Sequence, residues 1–307
     1  MIMKNTIKYF LVKLNSLKIL SIGLALNINF IWQIVNKKSI NKFKKNKIDL
    51  SENESLILSD LLKDGVAITN IQELSEGVYE NLISWKAERK KNFSPKSFKK
   101  GFLNYYLGGN HSSSYENLNY FDPLLEFSLS NSLLKIVNSY FKLFSRLIYL
   151  EFNETKIVKT DVLAKSSQNF HRDPGIKGCI KVFIYLNDVE KGGGPFTYIK
   201  RTHKYGKYNS LFKPRFFGVG GVYPSLKDIS GKIEEENIYE IYGKSGTVII
   251  ADTTGIHKGG FSTIKKREMT TSTYYPPGEY YKSKLIYDFD LRELELSSIQ
   301  KFAIKDF

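Results

Sequence analysis

The chain has 307 residues, 42% of them hydrophobic and 14% aromatic, with a formal net charge of +15 and one cysteine. That is enough apolar material for one large domain or two small ones, while the lone Cys179 excludes an intrachain disulfide and any multi-cysteine zinc or iron–sulfur site. The charge points to nucleic acid or a membrane surface, but it is unevenly placed: residues 1–50 hold ten lysines against the single acid Asp49, nine of the fifteen net charges. Nucleic acid is therefore the weakest partner class, because aromatic side chains are sparse among those lysines. A reducing cytoplasm is the simplest compartment for so cysteine-poor a chain.

In chain order, residues 5–20 place Ile7, Phe10, Leu11, Leu14 and Leu17 at helical spacing with lysines between them. Residues 19–35 are more continuously apolar, but Asn27, Asn29 and Gln33 interrupt them. A short membrane span, an interfacial helix, a packing helix or a poorly ordered segment all remain open, and the polar interruptions favour an interfacial or packing helix. No small-residue cleavage site follows, so no secretory signal is expected. Residues 36–50 read as a basic linker.

Residues 51–63 read as a helix with Ser51 at the N-cap and Glu54 three residues on. Asp64-Gly65 marks a turn, and residues 66–69 a short strand. Residues 71–91 and 123–149 read as mainly helical. From residue 156 the texture changes to short β runs separated by Gly, Pro, Asn and Asp. Such runs predict a mainly β core, an antiparallel sandwich or barrel, with helices beside it. The expected organisation is an appendage over 1–50 and a single domain over 51–307, with a helical flank to 150, a β core over about 155–280 and a tail from 281. Residues 204–232 are Gly-rich, basic and aromatic, the composition of a lid or substrate loop.

Within the β half, His171-Arg172-Asp173 puts a histidine and a carboxylate two residues apart on an extended segment, so both point to one face. His257 follows the strand-like run 246–252, and Arg267 comes ten residues after it. Two histidines and one carboxylate, with three positions left open, form the ligand set of a non-haem Fe(II) site that also takes a 2-oxoacid and O2. Arg267 opens the next candidate strand. Glu268 should face outward, which sends Arg267 inward, where a bidentate carboxylate such as the distal one of 2-oxoglutarate would satisfy its planar fork. Thr271 lies on the same face and could add a hydroxyl. The bland reading is that His171 and Asp173 cap a turn before Pro174-Gly175 and that His257 is an ordinary loop residue. It leaves unexplained why that histidine follows a strand and why an arginine opens the next one.

The chain resembles the phytanoyl-CoA dioxygenase family of Fe(II)/2-oxoglutarate oxygenases. The likeness rests on LLKDGVAITN (61–70), NFHRD (169–173), VFIYLNDVEKGGGPFTYIKRTHK (182–204), GTVIIADTTGIHKGG (246–260) and the Arg267 strand, and it covers about residues 55–280. It implies a double-stranded β-helix, or jelly roll, of cupin-like shape, with His171, Asp173 and His257 on iron and Arg267 on 2-oxoglutarate. By the same resemblance His203, in the THK turn, is structural. An aromatic directly after the HxD triplet is missing, which argues against an acyl-CoA substrate. With a carboxylate at 173, hydroxylation with release of succinate and CO2 is favoured over halogenation, while desaturation and ring closure stay open. The substrate is expected to be a small molecule, anionic or amphipathic if loop 204–232 contacts it. A non-catalytic jelly-roll binding protein, and a membrane-surface protein using residues 1–35, are the competing readings. His111 falls in a polar loop, and Cys179 is expected to pack on the sheet.

Overall fold

The computed structural model describes residues 21–92, 97–99, 102–107, 122–155, 157–158, 166–213, 222–279, 285, 290 and 295–304. His111, Arg215, Phe216, Phe217, the first amphipathic stretch and most of the run 156–164 lie outside the described residues.

The helix over 52–64 forms where its capping signals predict. Ser51 accepts from the Glu54 backbone N–H while the Glu54 carboxylate accepts from the Ser51 N–H, closing a reciprocal cap. Its other end stops at Gly65 in the left-handed conformation, φ +81°. A side chain at Gly65 would also collide with His203 and Tyr198. Gly65 therefore turns the chain directly into the strand Val66–Asn70, here β1, which pairs with Thr247–Asp252 (β8).

Between them come helices at Ile71–Leu74 and Val78–Asn92, strands β2 (Ser97–Lys99) and β3 (Phe102–Leu107), helices at Pro123–Ser128 and Asn131–Phe141, then β4 (Arg146–Thr155), β5 (Ile180–Tyr185), β6 (Phe196–Ile199) and β7 (Ile238–Ile241). After β8 follow β9 (His257–Gly259), β10 (Arg267–Tyr275) and a last helix at Ser298–Ile304. Among the described residues, seven strands form one antiparallel sheet in the order β1-β8-β5-β10-β4-β3-β2, and three form a second in the order β7-β6-β9.

Strand alternation sorts the core into two layers. Ile180, Val182 and Ile184 of β5 and Val248 and Ile250 of β8 turn outward to pack on the helices, including Leu61, Leu82, Leu134 and Tyr140. Phe183 and Tyr185, with Ile249 and Ala251, turn inward against Phe196, Tyr198 and Ile241 of the smaller sheet. The inward cluster is the smaller of the two because polar side chains take over the rest of that face.

Three local expectations are corrected. Residues 146–149 belong to β4, not to the preceding helix, which ends at Lys142 with φ +57°. The segment 36–50 is not a linker throughout: Lys37–Lys45 is a helix, seated by Ser39 donating to the Phe144 carbonyl at 2.6 Å. Glu268 does not face solvent. It is buried toward the helical layer, 3.1 Å from Lys86 and 3.0 Å from Lys266. Its side is still opposite that of Arg267, as alternation requires. Cys179 is buried beside Ile148 and Tyr275, and burial pushes its thiol up to about 12.

Candidate active site

His171 and His257 face each other across a two-residue antiparallel bridge in which each backbone N–H donates to the other's carbonyl at 2.9 Å. Two residues on, the Asp173 N–H donates to the Thr253 carbonyl at 2.8 Å. The Thr253 turn is set by buried Asp252, which accepts from the backbone N–H groups of Cys179 and Thr254 and from the hydroxyls of Thr254 and Tyr140. Helix, strand end and HxD segment are thereby fixed to one another.

The ligand-type atoms of His171, Asp173 and His257 all lie within 4.8 Å of one another. His171 Nε2 is 3.7 Å from Asp173 Oδ1, and His257 Nε2 is 3.5 Å from Oδ2. Each Nδ1 is occupied by a backbone carbonyl: Asn169 for His171 at 2.8 Å, Gly255 for His257 at 3.0 Å. That assigns the hydrogen to Nδ1 and leaves both Nε2 lone pairs aimed into the gap, the arrangement metal-binding imidazoles need. Burial, and then His171, pull His257 down to about 3, so it is neutral near pH 7. The 3.5 Å contact with Asp173 is therefore not an ion pair.

Burial would raise Asp173, but Lys181 and the two histidines outweigh it and hold the carboxyl well below the usual range. Lys181 Nζ lies 2.7 Å from Asp173 Oδ2, a contact of charge rather than of good hydrogen-bond angle, since Oδ2 has no well-aligned donor. Lys181 sits on the inward face of β5 and is held charged by Asp173 against its own burial. Sequence reading missed it, and the only local signal was a lysine inside an otherwise apolar strand.

Arg267 lies on the inward face of β10, 2% exposed. Nη1 donates to the Gly194 carbonyl, Nε has no partner, and no carboxylate pairs with it among the described residues. Desolvation lowers its pKa accordingly. Gly194 adopts φ +73° and packs on the backbone of Gly260 and Phe261 so closely that a Cβ would clash, so the GGG turn can bring its carbonyl over the arginine. Thr271 is on the same face and accepts from Asn153 at 3.4 Å. One cavity of about 210 Å³ is lined by His171, Asp173, His257, Arg267, Thr271 and Lys181, with Tyr149, Glu151 and Asn153 from β4. Every predicted site residue opens into it.

The neighbours play other parts. Arg172 turns away and donates to the carbonyls of Thr202, Thr254, Asn209 and Leu211, clamping the start of loop 204–232 onto the ligand segment. Burial lowers it to about 10. His203 is buried beneath Gly65, where its Nε2 pairs with the Leu62 carbonyl at 3.0 Å, a packing role. Lys204 of the loop donates to the Lys177 carbonyl, and Lys207 forms an exposed ion pair with Glu234 at 3.3 Å.

Glu279 secures the far end of the HxD segment by accepting from the Ile176 and Lys177 N–H groups, each at 2.9 Å. Burial pushes its carboxyl from 4.5 up to about 7. The folded carboxyl thus binds its proton more tightly than the unfolded one, and stability present below pH 4.5 is lost as pH rises through 7. Glu279→Gln should leave the melting temperature unchanged at pH 4.5 and raise stability at pH 8 by up to about 3 kcal/mol. A pH-independent difference would remove this account of Glu279.

No protein-family model and no curated protein sequence matches the chain. Its architecture does match solved structures. The epimerase SnoN in complex with Fe3+, alpha ketoglutarate and nogalamycin RO superposes with a TM-score of 0.53 at 13% identity, over 75% of this chain and 86% of that one. A second structure of SnoN, the non-heme alpha ketoglutarate dependent epimerase from nogalamycin biosynthesis, gives 0.53 and 13% over 75% and 85%. HygX from Streptomyces hygroscopicus, with nickel, 2-oxoglutarate and hygromycin B bound, is more distant at a TM-score of 0.47, 14% identity and coverage of 76% and 89%. At these identities the likeness is one of fold: the chain is a jelly roll with flanking helices, as expected.

Proposed function

We propose that this protein is a non-haem Fe(II)- and 2-oxoglutarate-dependent oxygenase that hydroxylates an unactivated C–H bond of a small molecule. The observation that carries it is the shared cavity: a His-Asp-His cluster with both Nε2 lone pairs directed inward, and a fully buried arginine with no carboxylate partner among the described residues. The donor set fits the metal. Three nitrogen and oxygen ligands on one side suit Fe(II) with open positions, and the unpaired guanidinium fits a dicarboxylate co-substrate. His171, Asp173 and His257 would hold the iron, Arg267 the distal carboxylate of 2-oxoglutarate, and the Thr271 hydroxyl would add to that carboxylate's site. Bound there, iron and 2-oxoglutarate supply O2 activation coupled to decarboxylation to succinate and CO2. The protein's residues orient the two groups and exclude water. The shared fold with SnoN, a structure in complex with Fe3+ and alpha ketoglutarate, supports the class. Membership of the phytanoyl-CoA dioxygenase family remains part of this proposal, resting on the HxD and turn sequences alone.

Anaerobic addition of Fe(II) and 2-oxoglutarate should produce a visible metal-to-ligand charge-transfer band. No band, with the protein folded, sinks the proposal and leaves a non-catalytic binding protein. Lys181 offers a second check. Removing one partner of a buried ion pair costs about 3–5 kcal/mol, so Lys181→Met should destabilise the metal-free protein by that order. A divalent cation at the triad replaces the missing charge, so Mn(II) should recover most of the loss. Equal destabilisation with and without Mn(II), read by thermal melts, would place the metal elsewhere.

A further inference from the structure

The helical stretch from residue 21 to Lys45 has two unlike sides. One is built into the domain. Leu26 and Trp32 join the main core, Asn36 accepts from the Gly278 N–H at 2.9 Å, and Asn29 accepts from Lys177 at 3.0 Å. The other side carries Ile22, Leu24, Ile28, Phe30, Ile34 and Val35 in solvent, Phe30 at 72% exposure. These are six of the fourteen large apolar or aromatic side chains exposed among the described residues, gathered within one short stretch. Scattered singly over the surface they would need no explanation, but six within residues 22–35 do. Immediately after it come Lys37, Lys44, Lys45 and Lys47, all exposed. Among the described residues no helix is long and apolar enough to cross a membrane.

We propose that this face docks on an anionic lipid bilayer, lying in the interface with Phe30 and Ile34 in the acyl boundary and the lysines on the headgroups. Charge selects this occupant over a second copy of the chain. Two such surfaces would bring together lysine-rich segments of nine net positive charges each, whereas an anionic leaflet attracts each lysine. Residues 1–18 repeat the same apolar–lysine alternation in sequence, with four lysines and no acid. The seat is firm because the opposite side is packed and hydrogen-bonded, so the exposed residues are presented rather than left over. Its Asn29–Lys177 contact also ties the docking face to the segment that leaves Asp173.

The test is co-sedimentation of the full chain with phosphatidylcholine vesicles, with and without phosphatidylserine, at low and high salt. Binding to the anionic vesicles alone, weakened by salt, is expected. Phe30→Ser with Ile34→Ser should reduce partitioning at least about tenfold, as should Lys44→Glu with Lys45→Glu, with unchanged melting temperatures. Absence of anionic-vesicle binding, or binding that survives both double variants, overturns the proposal. Sedimentation equilibrium showing a dimer that the Phe30/Ile34 variant dissolves, without vesicle binding, assigns the face to a second copy instead.

Discussion

His257→Ala should abolish specific Fe(II) or Mn(II) binding, lowering affinity by at least about 100-fold, and with it the charge-transfer band and succinate formation. Loss of a supporting partner of a ligating histidine already costs about 10–100-fold, and loss of the ligand itself should exceed that. The site makes His257 hard to replace. It is buried and neutral, its Nδ1 is held by Gly255, and the remaining donors, His171 and Asp173, sit on one short segment across the bridge. Two ligands from one segment cannot close around an ion without the third from β9. The backbone bridge between residues 171 and 257 does not use the imidazole, so the variant should stay folded. Calorimetric titration with Mn(II) decides it: one-to-one binding at parental affinity would show that the cluster is not the metal site.

The grouping of the candidate site residues was legible because each placement rests on a short-range rule. The HxD spacing fixes a shared face, and the alternation along 267–275 puts Arg267 and Glu268 on opposite faces, although the premise used to choose between those faces, a solvent-facing Glu268, did not hold. The cap at Ser51 and the turn at Gly65 are likewise local. What escaped depended on pairings between distant segments. Lys181 reads as a chance lysine until β5 is placed beside β10 and opposite Asp173. Glu268 became internal because Lys86, on a helix far away in sequence, lies over it. The start of β4 was hidden for another reason: the preceding helix ends at a left-handed Lys142, without the glycine or proline that usually marks such a boundary. The lysines of 37–47 masked a helix whose hold on the domain is short and partly polar: Asn36 and Ser39 bond distant backbone, and Ile40 packs on the core.

Arg267→Met should separate affinity from stability. Two charge-assisted hydrogen bonds to a carboxylate are worth about 1.5–3 kcal/mol each, so 2-oxoglutarate should bind at least about 100-fold more weakly, while Fe(II) affinity changes little. Stability should not fall by the amount expected for a buried structural ion pair. Among the described residues the guanidinium has given up its water for a bond to one carbonyl, its Nε is unsatisfied, and no acid repays the burial of its charge. Methionine fills comparable space without that cost, so the melting temperature of the ligand-free protein should hold or rise. Arg267→Lys should fall between, keeping the charge and losing the planar fork. A structural arginine would give the reverse pattern, with a large loss of stability and unchanged 2-oxoglutarate binding, and that result would remove it from the co-substrate site. Under the proposed function the cost of burying this cation in the ligand-free fold is offset when 2-oxoglutarate binds, and the Arg267→Met pattern of weaker binding without lost stability is what distinguishes that role from an architectural one.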